Sequence, residues 1–169
     1  PGAAVNYLLP SSGGNFYIAK FDPNGNLIWA KQTSSNNNLN LHDFELDNDG
    51  DLYTVGSFND TVDFDLGPGL FQLNSLSSLY EGFVCKYTID GILMNAKNFP
   101  TSFFSSINSI AIDSEKNLLL CGYFQDSIEF DSGVVVYQPS SVFLCKLDSL
   151  FAYQWEIHSS NNGLYNFPF

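Results

Sequence analysis

The sequence predicts an all-β protein assembled from copies of one small antiparallel sheet. Three observations carry that reading. The stretch FELDNDGDLYTVGSFNDTVDFD at residues 44–65 recurs as IAIDSEKNLLLCGYFQDSIEFD at residues 110–131, with matched positions about 66 residues apart. The short runs inside it are rich in Val, Ile, Phe and Tyr and are bounded by Gly, Asn and Asp, as strands are. Apolar residues at helical spacing do not persist over any useful window.

The repeat extends beyond that stretch. YIAKFDPNGNLIWAK at 17–31 aligns with FVCKYTIDGILMNAK at 83–97, so that Lys20 matches Lys86, Gly25 matches Gly91 and Lys31 matches Lys97. A third copy, FLCKLDSLFAYQWEI at 143–157, follows after about 60 residues, a unit shortened by a loop-sized deletion. Trp155 then falls where Trp29 does.

Taken in order, residues 1–15 read as a loop that could hold a short strand at 4–9. Residues 16–31 form a hairpin turned by Asn24-Gly25, with Trp29 a packing residue of its outer strand. Residues 32–40 are polar and Asn-rich, a solvated connection. A full unit then has strands at 43–47, 52–58, 82–87 and 93–97, the first alternating Phe44 and Leu46 with polar neighbours. Asn48-Asp49-Gly50 tolerates positive φ and closes the first hairpin. Residues 66–81 form a long loop turned by Gly67-Pro68-Gly69, with a short strand at 70–73; the loop after Asp131 is shorter. Residues 100–106 connect to the next unit, Phe103 and Phe104 serving as core plugs.

Strands such as LLLCGYF at 118–124 are apolar on both sides, so both faces of each sheet are expected to be covered. A four-stranded sheet repeated at this period, with covered faces, suggests the blades of a partial β-propeller. Gly56 and Gly122 fit, since a residue without Cβ admits a close neighbour. The expected division is a half blade at 1–34, full blades at 35–99 and 100–159, and the start of another at 160–169. Propellers close with about 4–8 blades, so the chain is expected to be part of a longer protein. An isolated arc would expose unpaired strands and an apolar sheet face.

The motifs at 16–31, 47–58 and 62–69 follow the pattern F-V-A-K-Y/F-D-x-N-G-N-L-x-W-A-K, D-x-x-G-N-x-Y-x-x-G-S-F and V-D-F-D-x-G-P-G. In these the chain resembles the bacterial beta-propeller repeat called SBBP. Three departures concern loop shape: Asn95 replaces the Trp, no Gly follows Asp148, and Asp131 lacks a Gly-Pro-Gly loop. The resemblance implies large secreted or cell-surface proteins, in the Bacteroidetes group often carried by type 9 secretion.

Composition narrows the partners. The formal net charge is −12, and the six cationic residues are all lysines, five of them at repeat positions. They form no basic patch, which sets nucleic acid aside because such binding needs a positive surface. No apolar run of about 18 residues is present to span a membrane. Cys85 and Cys145 stand where Ala19 does, and Cys121 where Val55 does, so all three are expected to be buried free thiols. His42 and His158 lack partners at metal or catalytic spacing and read as surface histidines.

Two carboxylate sets raise a calcium question. Asp47-Asn48-Asp49-Gly50-Asp51 has alternate carboxylates, but its glycine is misplaced for an EF-hand loop, and the second copy puts Lys116 in the turn. Asp60, Asp63 and Asp65 recur as Asp126, Glu129 and Asp131, and are the better candidates for one calcium site per blade; the plainer reading is a charged strand edge. Asp-Thr/Ser-aliphatic triplets place Thr61, Ser127 and Ser149 in a form resembling the O-glycosylation acceptor of exported Bacteroidetes proteins. An Asp side chain bonded to the local backbone explains the same triplets. No Ser-His-Asp set or phosphate-cradling loop is evident, and the paired carboxylates repeat with the units, which favours structure over a single active site. The expected function is a non-catalytic interaction or scaffold module of a secreted or cell-surface protein, meeting protein or glycan at its inter-strand loops and the remainder of its own propeller. The alternatives are a carbohydrate-binding propeller, or a hydrolase or lyase acting on polysaccharide.

Overall fold

The computed structural model describes residues 14–35, 38–76 and 79–159 and, among them, is all-β. The expected strand at 4–9 and the expected new unit at 160–169 lie outside the described residues. Strands β1 (Tyr17–Phe21) and β2 (Leu27–Gln32) form a hairpin. After β3 (Ser34–Ser35) come β4 (Leu39–Leu46) and β5 (Leu52–Phe58), then the short β6 (Thr61–Asp63) and β7 (Gln72–Asn74), then β8 (Glu81–Tyr87) and β9 (Leu93–Phe99). The chain ends its described part in β10 (Phe104–Ile112), β11 (Leu118–Asp131), β12 (Val134–Leu147) and β13 (Tyr153–His158). Two four-stranded antiparallel sheets result, ordered β4-β5-β8-β9 and β10-β11-β12-β13; β3-β6-β7 make a small third sheet.

The two large sheets are built to one plan, as the repeat requires. Each first strand carries a bulge at the same place, between Leu41 and Asp43 in one and Ile107 and Ser109 in the other. The partner at the bulge is Gly56 or Gly122. A Cβ built on Gly56 would fall on the Asn40 carbonyl oxygen and meet Phe83; on Gly122 it would fall on the Ser106 carbonyl oxygen and meet Phe143. The glycines thus have equivalent surroundings, but within their own sheets. The position where a neighbouring sheet presses close is Gly82, whose Cβ would come 3.0 Å from Ile107.

Five turns repeat one design. Asp22, Asp47, Asp113 and Asp148 each accept through Oδ1 from the backbone N–H two and four residues ahead, at 2.8–3.0 Å. Thr88 does the same with its hydroxyl. The residue three ahead is left-handed every time: Gly25, Gly50, Gly91, Lys116 and Phe151 have φ of 84°, 82°, 68°, 65° and 69°. The missing glycine after Asp148 therefore leaves the loop shape intact, at a backbone cost of about 1 kcal/mol for a non-Gly residue.

The sheets stack through their apolar faces. Strand β10 packs on β4, β5 and β8, and one core cluster joins Tyr53, Val55, Val84 and Phe99 of the first large sheet to Ile107, Ile110, Leu118 and Leu120 of the second. Burying each such side chain contributes about 1.5–3 kcal/mol. A second cluster, around Phe58, Phe64, Phe83 and Tyr87, joins the first large sheet to Phe16 and Ile18.

Several expectations are corrected. The first strand of the unit spans Leu39–Leu46 where 43–47 was expected, because Asp47 is consumed by the turn; the polar segment 32–40 accordingly contains β3 and the start of β4. The strand expected at 70–73 is Gln72–Asn74. Cys85 and Cys145 are buried free thiols, but Cys121 is free and exposed, since β11 turns it to a face that no other described sheet covers. His158 is buried, 8% exposed, with Nδ1 2.9 Å from Glu156. His42 is exposed, as expected, and donates to the Ile107 carbonyl at 2.9 Å. Phe103 is 48% exposed and plugs no core; Phe104 lies between the rings of Tyr80 and Tyr123.

Candidate functional site

Of the six carboxylates singled out as calcium ligands, those of Asp63, Asp65 and Asp131 accept from the local backbone. Asp63 Oδ1 accepts from the N–H of Asp65 and of Phe71, at 3.1 and 2.9 Å, closing the loop after β6. Asp65 Oδ1 accepts from Gly67 at 2.5 Å. Asp60 has φ 62°, and its carbonyl takes the Ser75 N–H. In the second copy Asp126, φ 70°, accepts from the Ser102 hydroxyl, and Asp131 accepts from the Ser132 N–H at 2.8 Å. The Ser132 bond and the charge of Lys97, 3.8 Å away, hold the Asp131 carboxyl below its ordinary range. Glu129 lies opposite Val135 in the β11–β12 pair. Val62 and Phe64 are buried while Asp63 and Asp65 are half-buried, so the predicted division of faces holds. Among the described residues no three side chains of His, Cys, Asp or Glu are gathered as ligands of one ion.

The hydroxyls of Thr61 and Ser127 are also engaged. Thr61 Oγ1 donates to Asn74 at 2.7 Å across β6–β7. Ser127 is 7% exposed, and its Oγ accepts from the Ser102 N–H at 3.1 Å. Ser149 sits half-buried in the turn capped by Asp148. The Asp of that triplet does bond to the local backbone, two and four residues on.

The lysines divide into two recurrent roles. Lys86 lies 3.1 Å from Asp51 and 3.8 Å from Asp47, and Lys146 lies 2.9 Å from Asp113, so each ties a third strand to the first turn of its own sheet. Lys31 instead donates to the carbonyls of Asp90 and Gly91, at 2.8 Å, and Lys97 to that of Phe151, at 3.2 Å. These two reach the turn of the following sheet. Asp43 adds a further link between sheets, accepting from the Ser109 hydroxyl and the Ile110 N–H at 2.8 and 3.1 Å. Lys116 pairs with Asp49 on the other side of the same junction.

A separate surface feature lies beside the β1–β2 hairpin. Between the β1–β2 hairpin and the first large sheet runs an apolar groove of about 480 Å³, lined by Tyr17, Lys20, Phe21, Phe44, Leu46 and Ile89 among others. Phe44 and Tyr17 are 60% and 66% exposed there. The matching residue to Phe44 in the next sheet, Ile110, is buried. The signal in the sequence was the half unit itself, whose two preceding strands have no counterpart among the described residues. No protein-family model matches the chain, and no curated protein matches it.

Proposed function

We propose that the chain is an arc of a β-propeller that serves as a non-catalytic interaction or scaffold module of a secreted or cell-surface protein. The observation that carries this reading is the repeated inter-sheet link, Lys31 to Gly91 and Lys97 to Phe151, made from matched positions of successive units. Residues that recur because they join neighbouring sheets are residues of an architecture, and the recurrent Asp47 and Asp113 cap matched turns in the same way. Surface loops then carry recognition; the loop before β8 offers exposed Leu70, Phe71 and Leu76 to a protein partner. The resemblance to SBBP repeats supports export, with type 9 secretion as the route.

Surface labelling and protease shaving of intact cells test the location: the protein should be labelled and cleaved from outside, and protection would oppose the reading. Cross-linking on the same cells followed by mass spectrometry should recover protein neighbours. A glycan array probed with the 169-residue chain should show no retention; selective retention of one glycan would favour the carbohydrate-binding alternative.

A further inference from the structure

We propose that the free edge of β1 and the groove beside it accept one antiparallel β-strand, a like strand from a repeat of the same kind, with an aromatic residue opposite Lys20 and an aliphatic residue opposite Ile18. The proposal rests on the reading of the chain as stacked equivalent sheets and specifies what completes the first of them. Among the described residues β1 pairs only with β2, leaving the other edge with unpaired backbone groups. Its counterparts β8 and β12 are paired on that edge by β5 and β11.

The equivalent space at the next junction shows what belongs there. In the β5–β8 pair Tyr53 stands opposite Lys86 and Val55 opposite Val84. Both side chains are fully buried in the cluster that joins the two large sheets. Lys86 lies 5.0 Å from the centre of the Tyr53 ring. Lys20 and Ile18, which match Lys86 and Val84, both line the groove, and among the described residues no strand pairs with β1 on that side to place a Tyr or Val above them. The groove's far wall is apolar, with Phe44, Leu46 and Leu52.

Charge complementarity points the same way. Lys86 and Lys146 each hold a carboxylate from the turn that precedes their paired second strand. Lys20, at the same position, bonds the Ile89 carbonyl at 3.2 Å and, among the described residues, has no carboxylate within ion-pair distance. An incoming strand preceded by an Asp would supply one. The occupant is therefore a segment of the form Asp-Leu-aromatic-x-aliphatic, the pattern that Asp51, Leu52, Tyr53 and Val55 display. Backbone pairing supplies affinity, and the alternate side chains supply selectivity.

The test is a titration of the 169-residue chain with a synthetic hairpin peptide of residues 39–58, read by the emission of Trp29, which lines the groove. Binding should shift that emission and saturate in the micromolar range. The peptide carrying Tyr53→Ser and Val55→Ser should bind at least about tenfold more weakly, and Lys20→Ala in the chain should weaken the parent peptide several-fold. Amide exchange should show new protection along β1. No saturable shift up to about 1 mM peptide, with the chain folded by circular dichroism, overturns the proposal, as does equal binding of the serine peptide. Such a failure would leave the stacked-sheet reading untouched, because that reading stands or falls on coupling between matched positions at the sheet junctions.

Discussion

Trp29 Cη2 lies 3.1 Å from the place where a Cβ on Gly91 would be. At the next junction the matched positions are Asn95 and Phe151, and the sizes are reversed. Asn95 donates to the Leu150 carbonyl at 3.2 Å, and Phe151 is buried against the Tyr53 ring, 6.3 Å between centroids. Each junction thus pairs one large residue on the outer strand or following turn with one small one. Gly91→Phe should destabilise the chain by about 1–3 kcal/mol, through overpacking and a left-handed φ in a bulky residue. Adding Trp29→Asn should recover part of that loss, with a coupling of about 1 kcal/mol or more. Urea melts of the four variants measure the cycle; strictly additive effects would oppose the matched-junction account.

Much of this was legible in the sequence, because the repeat offset aligns every strand of one large sheet with its counterpart. The asymmetric parts were not. Asn95 and the missing glycine after Asp148 read as two separate departures, and only proximity in space shows them as one exchange. Cys121 replaces a buried Val55 in the alignment, yet it is exposed, because burial depends on which face is covered and not on the repeat position alone. The acidic triads looked like ligands since spacing along a strand reports which face a side chain is on; it does not report the backbone N–H groups that a bend brings to the carboxylate. Phe103 was misread because an aromatic in a connection carries no periodicity to say where it points.

Gly56→Ala should be among the most damaging small substitutions in the protein. The added methyl collides with the Asn40 carbonyl, a backbone atom held by the β4–β5 pairing, and with Phe83 in a packed core. A loss of about 3 kcal/mol is expected, and Gly122→Ala should match it. Gly25→Ala is the control: its φ of 84° costs a Cβ about 1 kcal/mol, but nothing lies within 4 Å. Equal midpoints for Gly25→Ala and Gly56→Ala in urea would contradict the collision.

Thiol labelling should separate the cysteines. Burial pushes the Cys145 thiol up to about 12 and Cys85 higher still, so neither offers thiolate at neutral pH. Cys121 is exposed. A chromogenic disulfide reagent should modify one thiol rapidly in the native chain, and the other two only with unfolding. Cys121→Ser should abolish the fast phase and leave the melting temperature unchanged.

Acid stability should depend on Asp113. Its carboxyl lies well below the ordinary range, held there first by the Asn117 side-chain bond and then by Lys146, 2.9 Å away. A carboxyl depressed in the folded state binds its proton more readily once unfolded, where it titrates near about 3.9. Its contribution is therefore complete above that value and is lost as pH falls through the lower folded pKa. Melting temperature measured between pH 7 and pH 2 should decline with acid, and Asp113→Asn should lower it at neutral pH while flattening the decline below about pH 4. The amide keeps an oxygen for the Glu115 and Asn117 N–H groups but loses the charge facing Lys146, so the turn should persist while the ionic part disappears. Asp22→Asn, at an equivalent turn with no lysine within ion-pair distance, should change the acid decline less. Parallel melting curves for wild type and Asp113→Asn across the whole range would show that this ion pair does not contribute to stability.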